Sequence, residues 1–421
     1  MERRILLVTL IAIVALGNAF AGGAQEEQEA AKELTLLTWN LPHYEEQING
    51  WIADFEEMHP DVTIEWVDVK GGEWSTYFQT QLAAGDPPDI IDVQGALWYQ
   101  YAADGVLLDL TDRFEAEPAV KDRFYPDLFE AAANFNGNYY MLPLYTPSTV
   151  LFYNKPMFEE AGLPGPPKTM EELVEYSRAL TEDERGGFIT LNFDWLYWPL
   201  FASNGVEILT PDKSAAAFNT PAAVEVLETL TALTDEGAIP AVTWTGRWAE
   251  PNGAFGAGQA GMLNAHVTAF NAFSSNSDWA NKETIGVASF PGNYAVPNYH
   301  SLGITSTTKY PDLAWDFVKI VTSDKWAQEI VSSLGTLSGN KAADDIALND
   351  PEFQEDNPVK VRMFEVERSN MANLTGMTGL AADSRIKDAV YSNLTRAIFG
   401  EVSAQQALND AEKAVNAILA E

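Results

Sequence analysis

The chain contains no cysteine in 421 residues. That excludes disulfides, thiolate metal sites and a cysteine nucleophile, and it removes the residue that bacterial export would lipidate at a mature N-terminus. Histidine is nearly absent as well. The four present, His43, His59, His266 and His300, form no HExxH or His–carboxylate spacing, so no zinc or other metal site is expected. Positive charge is scarce: 25 Lys and Arg stand against 61 Asp and Glu, a net charge of −36. Such a chain is repelled by nucleic acid and by anionic membrane surfaces, and its acidity reads as a solvated surface. Beyond residue 21 no apolar run reaches the roughly 20 residues of a transmembrane helix. GxSxG, GxxxxGK[ST] and Gly-rich dinucleotide turns are missing too, so no cofactor is expected. Carboxylates are so numerous that no acid/base pair stands out.

What is present begins with an address. Arg3 and Arg4 precede the apolar stretch Ile5 to Leu16, and Ala19-Phe20-Ala21 supplies a small-x-small cleavage pattern. This layout predicts a secretory signal over 1–21, a flexible leader over 22–33 rich in Glu, Gln and Ala, and a periplasmic or otherwise extracytoplasmic, unlipidated product. The length favours two domains.

Along the mature chain, apolar periodicity alternates between two and about 3.6 residues. "ELTLLTWN" reads as a strand, and "YEEQINGWIADFEEMHP" as a helix ended by Pro60. "VTIEWVDV" reads as a strand, "EWSTYFQTQLAAG" as a helix stopped at Gly85, and "DIIDV" as a third strand. That order predicts a parallel sheet covered by helices. In "LAAGDPPDIIDV" the acids Asp86, Asp89 and Asp92 invite a metal reading. Asp89 and Asp92 point to opposite faces of a strand, however, so they are read as turn and strand-entry punctuation. Ligand is expected beyond the strand's carboxyl end, near Gln94–Trp98. The alternation continues through "VLFYNKPMFEEAGL" and "PPKTMEELVEYSRALT", where Thr169 and Glu172 form a capping box. A strand and an aromatic-crowded helix follow in "GGFITLNFDWLYWPLFASNG", then a strand at Gly261–Asn264. The chain ends in two helices broken at Gly400.

Twelve tryptophans are the strongest functional signal. Trp39, Trp98, Trp195, Trp198, Trp244 and Trp248 fall at predicted turns or strand ends. Flat rings there can stack on the C–H faces of a sugar while neighbouring Asp, Asn, Gln and Arg bond its hydroxyls. "WTGRW" places Arg247 between two indoles, where it could stack or hold a polar ligand. Within "LNFDWLYWPL", Trp195 is assigned to ligand with Asp194 beside it, and Trp198 to the core.

Taken in order, these segments resemble the extracellular solute-binding proteins of ABC importers, in particular the sugar-binding group that includes maltose-binding protein. "YFQTQLAAGDPPDIIDV", "GVLLDLTD", "MLPL", "LFYNKPMFEEAGL", "FGAGQAGM", "LAWDFVKIVTSDKWAQ" and "AIFGEVSAQQALNDAEKAVNAIL" carry the resemblance over nearly the whole mature chain. It implies an α/β fold of two type II lobes joined by a multi-crossing hinge. Lobe one is expected over 34–145 plus 291–335, and lobe two over 146–290 plus 336–421. A ligand is trapped in the cleft between them. The resemblance places site residues at Trp39, Asn40, His43 and Glu45, at Gln94 and Trp98, and at Tyr145 and Ser148. It adds Asp194 and Trp195, then Asn264 and His266. Trp244, Arg247 and Trp248 join them from the residue reading alone. Pro147 and Ser148 replace the acid that maltose-type members carry before "YNK", and Gln94-Gly95 replaces their Asp-Arg pair. Both departures argue against a maltodextrin while leaving a sugar open.

The expectation is therefore a monomeric, non-catalytic carbohydrate-binding protein that serves ABC-importer permease subunits, with no cofactor, metal or nucleic-acid partner. The rival ligands are a polyamine or a glycerol-phosphate ester. The rival of another class is a secreted glycoside hydrolase, whose two carboxylates would flank a scissile bond.

Overall fold

The computed structural model describes residues 32–39, 41, 44–183, 185–275 and 277–421. The expected signal, and all of the leader but its last two residues, lie outside the described residues. Eleven strands are described: β1 (Lys32–Trp39), β2 (Val62–Val69), β3 (Ile90–Gln94), β4 (Asn134–Phe135), β5 (Asn138–Tyr139), β6 (Met141–Tyr145), β7 (Thr149–Asn154), β8 (Gly186–Ile189), β9 (Ala260–His266), β10 (Ile285–Ala288) and β11 (His300–Ile304). They form a five-stranded sheet in the order β2-β1-β3-β11-β6 and a four-stranded sheet in the order β10-β7-β9-β8, with β4 and β5 as a separate hairpin.

Each sheet carries its own core. Around the first gather Leu34, Leu36, Ile48, Phe55, Ile91 and Phe317. Around the second lie Phe152, Phe188, Leu227, Leu263, Ile386 and Leu408. Local sequence accounts for most elements. Gly85 adopts φ 77° as the left-handed cap of the helix Gly71–Ala84, the conformation that glycine takes without a Cβ penalty. Thr169 accepts the Glu172 N–H at 3.2 Å, and the Glu172 carboxylate accepts the Lys168 N–H at 2.6 Å, so the expected capping box is present with its return bond one residue early. Gly187 of β8 runs so close to the Ser177 carbonyl that any Cβ there would collide with it.

The first sheet corrects the expectation of a parallel sheet. β1 is parallel to β2 and β3, but β11 runs antiparallel to both β3 and β6. The reason is topological. β11 enters the first sheet on its way back from the second, from the end where β3 and β6 finish.

Three segments pass between the sheets and hold one another. The first, 145–149, pairs with the second, 295–300, through a Ser148–Pro297 bridge, and the Asn298 N–H donates to the Pro147 carbonyl at 2.8 Å. The Thr149 hydroxyl accepts from the Val296 N–H at 3.0 Å. The third, 335–340, receives the Thr146 N–H at the Leu337 carbonyl, 2.9 Å. Glu367, on the helix Pro358–Asn370, ties the first pass to the third. Its carboxyl accepts the N–H groups of Ser148 at 2.9 Å and Leu337 at 3.2 Å, and the Thr336 hydroxyl lies at 3.3 Å.

Burial pushes the Glu367 carboxyl up to about 8, outweighing the three donors that pull it down and reinforced by nearby Asp344. The Thr336 hydroxyl can turn from donor to acceptor, so either protonation state finds partners. Because the folded value exceeds the ordinary 4.5, the folded state keeps a proton that the unfolded state gives up. The contribution of Glu367 to stability is full below about 4.5 and is lost as the pH rises towards 8. Urea unfolding at pH 5 and pH 8 should therefore show wild type losing at least about 1 kcal/mol more than Glu367→Gln over that interval. Equal losses in the two proteins would show that Glu367 is ionised throughout.

Candidate functional site

The passes bring the carboxyl ends of β1, β3, β6 and β9 to one junction, and the sequence-predicted residues divide there into those it gathers and those it does not. On the first sheet, His300 opens β11 opposite Gln94 of β3. Its ring lies between Trp39 (centroids 4.2 Å apart, 17° between planes) and Tyr145 (4.1 Å, 14°). The Nδ1 of His300 is 2.9 Å from the Asp92 carboxylate, which is 0 % exposed. Burial pushes the Asp92 carboxyl up, against the pull of His300. Asp68 adds negative charge nearby, where it accepts from the Thr38 hydroxyl at 2.7 Å and the Leu41 N–H at 3.1 Å. Tyr44, at the entry to the helix Glu45–Met58, has its phenol raised by burial to about 12. The same burial, with Asp92 behind it, holds the Tyr145 phenol well above its usual range.

On the second sheet, His266 ends β9 and its ring lies 3.7 Å from that of Trp195. Asn264, two residues earlier on the same face, donates to the Trp195 carbonyl at 2.7 Å and so fixes the backbone that carries this indole. Burial depresses the His266 imidazole well below its usual value, and the charge of His300 facing it from the other sheet adds to the effect. The imidazole is therefore neutral at neutral pH. Trp39 and Tyr145 thus gather on His300 at the end of the first sheet, and Trp195 on His266 at the end of the second.

Among the described residues, the buried atoms Ser148 Oγ, Asn264 Oδ1 and His266 Nε2 beside these rings have no hydrogen-bond partner. Buried polar groups are normally paired, so such atoms mark positions for water or a polar ligand.

The remaining expected residues are placed otherwise. Asn40 and His43 lie outside the described residues. Gln94 is described as the last residue of β3. Glu45 is exposed in the first turn of its helix. Trp98 is buried against Tyr99 and Phe135 inside the first core, contrary to a ligand-facing position. Trp244 packs edge-on against Phe399, the C-cap of the helix Asp383–Ile398. Arg247 is 74 % exposed and pairs with Glu250 at 3.0 Å, and Trp248 is exposed. "WTGRW" is thus a surface turn, and the cation–π arrangement expected of it does not form.

Sequence reasoning missed His300 and misread Asp92. Asp92 is a buried partner of a histidine 208 residues away, not punctuation. Its signal was a carboxylate inside the apolar run "DIIDV" with no turn to serve. The punctuation reading suits Asp86, which is exposed. Asp89 does more, accepting the Thr35 N–H at 2.9 Å and the Thr308 hydroxyl at 2.5 Å. No group of three potential metal ligands occurs among the described residues. Grooves of about 790 and 540 Å³ lie elsewhere, on helix flanks around Leu173 and Leu233 and around Asp54 and Lys319. Neither is lined by Trp39, Tyr145, Trp195, His266 or His300.

Two substitutions separate these placements. Asp92→Ala leaves the His300 N–H without its acceptor in a buried site and should cost about 2–4 kcal/mol in urea unfolding. Arg247→Ala should stay within about 0.5 kcal/mol of wild type. A neutral Asp92→Ala would contradict the His300 assignment.

Comparison with known proteins supplies the lineage. Residues 42–328 match the family model described as bacterial extracellular solute-binding protein. A binding protein of Brucella abortus is 26 % identical over 80 % of each chain. The diacetylchitobiose binding protein DasA of Streptomyces coelicolor is 23 % identical over 81 % of this chain and 83 % of its own. Among solved structures, an ABC substrate-binding protein of Listeria monocytogenes in complex with cycloalternan superposes with a TM-score of 0.81. Its identity is 22 %, covering 92 % of this chain and 99 % of that one. Two helix-flanked sheets joined by repeated passes are the type II binding-protein fold that this likeness shows. The chain belongs to the bacterial extracellular solute-binding protein family.

Proposed function

We propose that this protein captures a carbohydrate between its two sheets and hands it, chemically unchanged, to the permease subunits of an ABC importer. The observation that carries the reading is the placement of ring faces on both sides of one junction, Trp39 and Tyr145 on the first sheet and Trp195 on the second. Stacked rings with polar atoms beside them suit a ligand that has apolar C–H faces and a hydroxyl rim. Two similar proteins, from Streptomyces and Listeria, are named for or solved with saccharides, which favours a sugar over a polyamine or a phosphate ester.

In this reading the lobes are 34–145 plus 291–335 and 146–290 plus 336–421. The ligand set is Trp39, Tyr145, Ser148, Asp194, Trp195 and His266, with Asn40, His43, Glu45 and Gln94 as further candidates. The protein acts as an extracytoplasmic monomer after removal of residues 1–21, without cofactor, metal or nucleic acid. No helix among the described residues is long and apolar enough to cross a membrane.

A thermal-shift screen against neutral oligosaccharides, followed by mass spectrometry of the recovered ligand, tests the function. A raised midpoint with stoichiometric, intact ligand is expected, because ligand at about 100 times its dissociation constant adds about 2.7 kcal/mol to the folded state. Accumulating cleavage products would establish a hydrolase instead.

The aromatic assignment has its own test. Trp195 is 9 % exposed and Trp198 2 %, the latter edge-on to Tyr391. Trp195→Ala should weaken binding by about 2 kcal/mol or more, roughly thirtyfold, with little change in melting temperature. Trp198→Ala should chiefly destabilise. Calorimetric titration with thermal unfolding of both variants checks it, and the reverse pattern would exchange platform and core.

A further inference from the structure

A lysine paired with Asp194 adds a charge that the sequence reading did not consider. Lys387, on the helix Asp383–Ile398, lies 2.8 Å from the Asp194 carboxylate and 3.0 Å from that of Asp383. The cluster is nearly closed to solvent: Asp383 is fully buried, and the other two side chains are only slightly exposed. Asp383 is held in place from its other oxygen, which accepts both the N–H and the hydroxyl of Thr378 at 2.6 Å. Burial alone would lower the Lys387 ammonium, but the two carboxylates outweigh it and hold the group above the usual lysine range. Lys387 is therefore charged at every physiological pH.

Three observations place this cluster at the ligand. Asp194 immediately precedes Trp195, the ring that stacks on His266. The helix Asp383–Ile398, which carries both Asp383 and Lys387, touches the helix Leu97–Ala103 that packs on the first core, so the cluster sits on a helix that reaches the other sheet's structure. Independently, His266 Nε2, on the ring stacked against Trp195, is buried and unpartnered among the described residues.

The chemistry left over is specific. An ammonium has three donors, and two are directed at the carboxylates. One N–H remains, beside an Asp194 carboxylate that retains accepting capacity at its other oxygen. A donor and an acceptor side by side match two neighbouring hydroxyls, each able to give one hydrogen bond and receive another. The charge balance is equally restrictive. Two aspartates and one lysine leave an excess negative charge here, and Asp68 adds more near His300.

Resting on the reading that a saccharide binds between the sheets, we propose that Lys387 and Asp194 form a donor–acceptor pair for two adjacent hydroxyls, restricting the site to saccharides that carry no carboxylate or phosphate. Asp383 is then a positioning residue that holds the ammonium in line.

Calorimetric titration with raffinose, maltotriose, diacetylchitobiose and mannitol identifies a neutral probe. Asp194→Asn and Lys387→Met should each weaken that probe about tenfold or more, as expected for a charge-assisted hydrogen bond. Glucuronate, galacturonate and glucose 6-phosphate should not bind. Deoxy analogues of the probe supply the readout that a purely structural role would not move. Removing one hydroxyl of the pair should weaken wild type about tenfold, yet change Lys387→Met less than twofold. If Lys387→Met does not fold, the near-isosteric Asp194→Asn carries the same comparison. Unchanged affinity in the variants, equal deoxy discrimination in variant and wild type, or tight binding of a sugar acid would overturn the inference and leave saccharide binding standing. Failure of every saccharide to bind would overturn the functional reading, and this inference with it.

Discussion

The chain passes between its two sheets three times, and the hydrogen bonds among those passes decide where everything else can sit. Ser148 is the meeting point. Its backbone bridges to Pro297 in the second pass and donates to Glu367, which in turn holds Thr336 and Leu337 of the third. A single linker would leave two cores free to rotate about each other, since small interdomain contacts permit relative motion by default. Three passes, the second and third each bonded to the first, restrict that freedom. They also explain why β11 enters the first sheet antiparallel.

From that constraint the recognition surface follows. Strands that end at the passes must end in residues facing the junction, and here those ends carry rings: Trp39 on β1, Tyr145 on β6, His266 on β9 and His300 at the start of β11. His300 is fixed by Asp92 below and by rings on both sides, so Trp39 and Tyr145 are each covered on one face. Preorganised rings lose little freedom when a ligand arrives, which lowers the ordering cost of binding. Negative charge surrounds this surface, and its one buried cation is matched by two carboxylates. A hydroxyl-rich, uncharged ligand meets that environment with the least desolvation penalty.

The fold was largely legible because its signals are local. Gly85 followed by Pro87-Pro88, the Thr169 cap and the apolar spacing Ile386, Val390, Leu394 each name an element within a few residues. The site was legible only where a residue's environment is local too. Trp195 and Trp198 sit on one short helix, three residues apart, and both are buried. Asp92 and His300 are 208 residues apart, and Ser148 and Glu367 are 219 apart. No spacing rule links partners that only the passes bring together. "WTGRW" shows the opposite error. Its aromatic and cationic composition suggested recognition, but Gly246 at φ 65° turns it at the surface and Arg247 pairs with Glu250. Lys387 lay between these extremes. Its i, i+4 spacing to Asp383 is visible in "DSRIK", but Asp194, which completes the cluster, comes from another helix.

The central claim is that the passes act as a hinge whose closure encloses a ligand, so that binding and lobe position are one equilibrium. Small-angle scattering with and without a saturating neutral saccharide measures this most directly. The account predicts a smaller radius of gyration on addition of a saccharide that binds, and no change with one that does not. Superimposable curves for free protein and a tightly bound complex would contradict it.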